Sequence, residues 1–188
     1  MSDIVYQLKI SLNFSDPLIW RRFLVDGDTS LDELHYQIQT VMGWGNEHLY
    51  QFIINDRMYG DGELGTSSQR ADSSEVTLGS LIKRPKTTFI YEYDLGDGWE
   101  HEVVVEKIRP RSQFDVAHIP HCLEGEQACP LEDCGGIFGY YDILDALKDP
   151  AHPQHAEMVE AWGELGTDLD PEIFELKWVN DSLRQMMP

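Results

Sequence analysis

A chain of 188 residues, 41% hydrophobic and 26% charged, has globular composition and is long enough for one substantial core. Its net charge of −20 works against direct nucleic-acid binding, which needs cationic side chains to displace counterions. No apolar run nears the roughly 20 residues of a membrane-spanning helix, Met1-Ser2-Asp3 carries no basic-then-apolar leader, and three cysteines are an odd count for a disulfide framework. The expectation is a soluble cytoplasmic protein.

Taken in chain order, residues 6–12 alternate, with Leu8, Ile10 and Leu12 on one face of a strand. Ser15-Asp16-Pro17 signals a turn, and Ile19 to Val25 reads as a second strand that ends at Asp26-Gly27-Asp28. Ser30 with Glu33 three residues on makes a capping box. Leu31, Leu34, Ile38, Val41 and Met42 keep helical spacing, and Gly43 is a natural stop. A third strand is expected over His48 to Ile54, turning at Asn55-Asp56. Residues 60–75 are polar and Gly-rich and read as a surface loop, and Thr77 to Leu81 as one helical turn.

The run from Phe89 to Glu106 is the most informative stretch. Phe89, Tyr91 and Tyr93, then Trp99, His101, Val103 and Val105, fall on one face of a two-stranded hairpin. Glu92, Asp94, Glu100, Glu102 and Glu106 fall on the other. Asp97-Gly98 tolerates the positive φ of the turn. Two basic groups, Lys83, Arg84, Lys86 and Lys107, Arg109, Arg111, read as a solvated sheet rim.

Beyond Pro110 the pattern changes. Residues 112–139 lack periodicity and hold all three cysteines, and residues 112–188 carry 16 acidic and 3 basic side chains. Short helices are expected over Gly139 to Lys148 and Pro153 to Trp162. Asp170-Pro171 reads as the N-cap and first position of a further helical segment, leading to a final helix through Leu176, Val179 and Leu183. The fold class is therefore α+β. A β-grasp-like mixed sheet with one packed helix spans 1–111, and a Cys-containing loop with an acidic helical lobe, packed on that sheet, spans 112–188.

Tyr93-Asp94-Leu95-Gly96-Asp97-Gly98-Trp99-Glu100-His101, then Cys122-Leu123-Glu124-Gly125-Glu126 and Ala128-Cys129-Pro130-Leu131-Glu132-Asp133-Cys134-Gly135-Gly136, come in an order that resembles the plasmid ORF-three-like family, named from an open reading frame on an Ri plasmid. Asp149-Pro150-Ala151-His152-Pro153 and Trp20-Arg21-Arg22 add to the resemblance, which spans nearly the whole chain. It implies a family of unknown function, some of whose members are labelled as insertion-element passengers or resolvase-like. A serine resolvase needs a nucleophilic serine among arginines and a basic DNA-binding end; this chain ends in an acidic helical lobe.

Several groups carry enough chemistry to be candidates. Cys122, Cys129 and Cys134 with His121 supply the thiolate and imidazole donors zinc favours, although no tight C-x2-C knuckle is present. Their other reading is as small buried hydrophobes beside a Gly-Gly turn. His101 is either a satisfied core histidine or a general base oriented by Asp94 or Asp97, whose other role is to bond turn amides. Glu124, Glu126, Glu132 and Asp133 form an acidic group without the spacing of a calcium loop. The reading favoured is a non-enzymatic binding module, an accessory of mobile-element or plasmid type. Trp99, His101, Glu124, Glu126, Glu132 and Asp133 would engage a protein partner with a basic surface, with no cofactor expected. The alternative is a small metal-assisted hydrolase, with His101, Asp94 and Asp97 catalytic and zinc on the cysteine segment, in a cleft between the Asp94–His101 hairpin and residues 118–136.

Overall fold

Alternation governs the sheet. The computed structural model describes residues 3–61, 70–166 and 170–186. In β1 (Ile4–Leu12), Tyr6, Leu8, Ile10 and Leu12 point into the core, each no more than 4% exposed. Strand β2 (Trp20–Asp26) pairs antiparallel with β1 and contributes Phe23 and Val25. Helix α1 (Leu31–Met42) begins at the expected capping box, Ser30 N–H donating to the Glu33 carboxylate at 3.0 Å. It ends at Gly43, whose φ of +117° is open to a residue without Cβ. Leu31, Leu34, Ile38 and Val41, all fully buried, lay this helix across the aromatic face of the sheet.

Strands β3 (Tyr50–Ile54), β4 (Arg57–Gly60) and β5 (Arg70–Asp72) come next, then a single turn of helix, α2 (Leu78–Leu81). The hairpin of β6 (Thr88–Tyr93) and β7 (Trp99–Pro110) follows. With β8 (His121–Glu126), the strands among the described residues form one eight-stranded mixed sheet in the order β5-β4-β3-β6-β7-β1-β2-β8, in which only the β4–β5 pair is parallel. Helices α3 (Gly136–Lys148), α4 (His155–Gly166) and α5 (Leu176–Gln185) complete an α+β fold. No helix among the described residues is long and apolar enough to cross a membrane.

Several elements differ from the sequence reading. Strand β3 starts at Tyr50, so His48 and Leu49 lie in the loop before it. Within the stretch read as a surface loop, Arg70–Asp72 is a strand, while residues 62–69 lie outside the described residues. Cys122 sits in an edge strand rather than a loop: β8 pairs with β2 with an irregularity at Arg22/Phe23, and that break hid the period of two. The Asn180 side chain of α5 then closes the outer edge of β8, bonding both the N–H and the C=O of Cys122 at 2.9 Å.

Asp170 does cap, but it caps a turn, accepting from Glu172 N–H at 2.9 Å, and α5 starts only at Leu176. The intervening chain is held by Arg21. This residue is 1% exposed, donates to the carbonyls of Val41, Trp20 and Glu126 at 2.8–2.9 Å, and stacks under the Phe174 ring at 4.2 Å. A guanidinium satisfied by three backbone carbonyls ties β2, α1, β8 and the approach to α5 together. Helix α3 begins three residues earlier than the spacing suggested, and the side chain of Trp162, the last residue of the helix expected over Pro153 to Trp162, lies outside the described residues.

Candidate functional site

The hairpin's aromatic face is sealed. Trp99 is 1% exposed with Trp44 5.7 Å away, and His101 is fully buried with the Trp44 ring edge-on at 5.1 Å. His101 Nδ1 lies 3.2 Å from the Tyr91 carbonyl, which fixes the proton on that nitrogen, and Nε2 has no hydrogen-bond partner. Burial pushes the pKa of His101 down to about 4, so the ring is neutral. Among the described residues no carboxylate orients it. Asp94 instead closes the turn, its Oδ1 accepting from Gly96 N–H at 2.9 Å and Asp97 N–H at 3.3 Å, and Asp97 accepts from Gly135 N–H at 3.0 Å. The histidine and the two aspartates of the hydrolase reading therefore do not converge. Trp99 and His101 offer a partner no surface.

The cysteine segment does not converge either. Among the described residues, the donor atoms of Cys122, Cys129, Cys134 and His121 form no group close enough to share an ion. Cys122 is fully buried in β8, and burial pushes its thiol, like that of Cys134, up to about 12; Cys129 is raised as well. His121 faces His118 at 5.3 Å, and burial lowers its pKa. The acidic group is split between two neighbourhoods. On β8, Glu124 pairs with Arg22, and Glu126 accepts from the Trp20 indole at 3.0 Å. Glu132 and Asp133 lie at the turn of the hairpin.

Three loops meet at that turn: residues 44–48 after α1, residues 94–98 of the hairpin, and residues 130–136 before α3. They are braced to one another. The Trp44 indole donates to the Pro130 carbonyl at 3.2 Å, and Glu132 accepts from Gly45 N–H at 2.9 Å and from the Tyr93 hydroxyl. That hydroxyl also accepts from Glu47 N–H at 3.0 Å. Gly136, at φ +71°, lies so close to Asp97 that a Cβ there would collide with the Asp97 carbonyl oxygen. One side chain from each loop projects into the junction. His48 Nδ1 is 3.9 Å from Asp94 Oδ2, His48 Nε2 is 3.2 Å from Asp133 Oδ1, and one donor atom from each of the three lies within 4.8 Å of the others. Sequence reasoning missed His48 because it stood at the start of an expected strand, 46 residues from Asp94. Only the loop character of its neighbours Gly45-Asn46 signalled otherwise.

Beside His48 the surface is concave. A cavity of about 340 Å³ is lined by His35, Tyr36, Asn46, Glu47, His48 and Tyr50 among others, and one of about 450 Å³ by Asp32, Tyr36, Tyr50, Asp61, Asp72 and Ser73. They share Tyr36, Tyr50 and Asp61. The wall between them is rigid: His35 stacks on Tyr50 at 3.6 Å and bonds the Tyr91 hydroxyl at 2.8 Å.

Residues 4–178 match the model of the plasmid pRiA4b ORF-3-like protein family, and the chain belongs to that family. It is similar to the uncharacterized protein y4hQ of Sinorhizobium fredii (strain NBRC 101917 / NGR234), 38% identical over 167 residues that span 87% of this chain and 84% of the relative. Among solved structures it is similar to the protein of unknown function MM3350 from Methanosarcina mazei Go1. The TM-score is 0.82 at 32% identity, over 94% of this chain and 98% of the other.

Proposed function

We propose that this member of the plasmid pRiA4b ORF-3-like family is a non-enzymatic binding module, an accessory protein that takes a basic segment of a partner protein into an acidic, tyrosine-lined concavity. The observation that carries this reading is the pair of adjoining cavities. Asp32, Glu47, Asp61 and Asp72 surround two shared tyrosines, and no lysine or arginine is among the described residues that line them. A lysine or arginine stem lies well along a tyrosine ring, with its charged head toward carboxylates. The chain's net charge of −20 adds long-range attraction that raises the encounter rate with a basic partner and disfavours nucleic acid. The rival built on His101 draws no support from a buried, neutral imidazole without a carboxylate partner.

The test is titration of a short Lys/Arg-rich peptide into the protein. Removing Asp32, Glu47 and Tyr36 together (Asp32→Asn, Glu47→Gln, Tyr36→Ala) is expected to weaken binding roughly tenfold or more. Glu157→Gln with Glu160→Gln, on the exposed side of α4, removes two charges elsewhere and should leave the affinity nearly unchanged. Equal losses in both variants would reduce the interaction to bulk charge and defeat the reading.

A further inference from the structure

We infer that His48, Asp94 and Asp133 form a binding site for one divalent transition-metal ion. This inference does not depend on the partner reading, although His48 also lines the smaller of the two cavities.

The geometry comes first. Ligand atoms at about 2.0–2.2 Å around one zinc ion lie roughly 3–3.5 Å from each other. One donor atom from each of His48, Asp94 and Asp133 lies within 4.8 Å of the other two. A single ring nitrogen of His48 serves an ion, and with Nε2 already 3.2 Å from Asp133 Oδ1, side-chain rotation that closes the remaining gaps brings the three donors around a common centre. His48 Nε2 is shut off from solvent and makes no aligned hydrogen bond, although Asp133 Oδ1 stands only 3.2 Å away. Such a nitrogen has lost its hydration and gained no aligned hydrogen bond in return, a deficit that a bound cation removes.

Charge points the same way. Asp94, Asp97, Glu132 and Asp133 crowd the junction, and among the described residues no lysine or arginine forms an ion pair with any of them. Asp94 is only 8% exposed, so its charge is poorly screened by water. The brace of Glu132, Tyr93 and Gly45 holds the three loops in register before any ion arrives, and this preorganisation distinguishes a built site from a chance meeting of surface acids. Asp94 Oδ1 is occupied by turn amides, which orients Oδ2 toward His48.

The donor set selects the ion. One imidazole among two carboxylates suits zinc or manganese better than calcium or magnesium, which prefer all-oxygen shells. Three protein ligands, one of them on a side chain 68% exposed, leave coordination positions for water or a ligand group.

Calorimetric titration of the metal-free full-length protein with zinc chloride, and separately with manganese chloride, tests the site. Saturable uptake of one ion per chain is expected, and Asp133→Asn and His48→Ala should each weaken it at least roughly tenfold. Cys129→Ser and Cys134→Ser should leave it unchanged. Asp133→Asn is the decisive variant, since an exposed side chain can be changed without threatening the fold, and its circular dichroism should match the wild type. Absence of saturable uptake would overturn the proposal. So would unchanged affinity in Asp133→Asn and His48→Ala, or a loss that follows the cysteine variants instead and so moves the ion to the thiols.

Discussion

His101 and His48 flank the same hairpin and live in different solvents. The first is on a strand, and strict alternation carries it into the core with Tyr91, Tyr93 and Trp99, where an imidazole can only be neutral and structural. The second is on a loop, outside the pleat, where only the meeting of three connections decides what it touches. Regular structure thus makes a residue's burial easy to foresee and deprives it of chemistry, while the irregular rim keeps the chemistry and hides its partners from the sequence. Both regions share Asp94, which directly follows β6 and whose carboxylate serves the turn and the junction at once.

The sharpest way to break this contrast is at Trp99. If the aromatic face is a rigid floor for the rim, Trp99→Ala should cost about 3–5 kcal/mol through lost burial and the cavity left behind. It should also speed labelling of Cys129 and Cys134 by a thiol reagent, because Trp44, in ring contact with Trp99, anchors the 130–136 loop through Pro130. Chemical denaturation and thiol kinetics measure both. Wild-type stability in the variant would show that the rim needs no such floor.

A second effect, on the order of 3 kcal/mol, belongs to the buried imidazole. The His101 pKa falls from an ordinary 6.5 to about 4. The unfolded chain therefore binds a proton that the folded chain refuses between those two values, and the stability that neutral His101 provides is complete above pH 6.5 and drains away as pH falls toward 4. His35, lowered to about 4 by burial as well, follows the same course. His101→Gln should flatten the decline between pH 6.5 and 4 by the His101 share. Parallel wild-type and variant curves would place water against the His101 ring.

How much of this was readable in advance follows the same division. The α1 capping box, the Gly43 stop, the Asn55-Asp56 turn and the inward face of the hairpin were all legible, since each depends on residues within a few positions of one another. Strand β8 was not, because its pairing with β2 is broken at Arg22/Phe23 and its outer edge is satisfied by a side chain, Asn180, 58 residues away. The junction of His48, Asp94 and Asp133 was half legible. The two aspartates stood in segments already singled out, but which histidine joined them depended on where β3 starts and on how three loops pack. Cys122, Cys129, Cys134 and His121 looked like a ligand set in one dimension, and strand geometry drew them apart.

The smallest expected effect sharpens the comparison most. Asp133 is 68% exposed at the side chain, and its backbone sits at φ +55°, a conformation asparagine adopts as readily as aspartate. Asp133→Asn should therefore change the stability of the metal-free protein by no more than about 0.5 kcal/mol, as surface substitutions away from caps and cores do. Relief of repulsion from Glu132 and Asp94 could even raise it slightly. A change confined to the rim should be silent until the rim has something to hold. With zinc present, the wild type should gain thermal stability that grows with ion concentration, since a ligand bound only by the folded state shifts the unfolding equilibrium, and the variant should gain far less. Melting curves of both proteins, with and without zinc, decide the matter. A large loss in the metal-free variant would mean that Asp133 holds the loops together through its contact with His48, and that the rim is structural in the same sense as the floor beneath it.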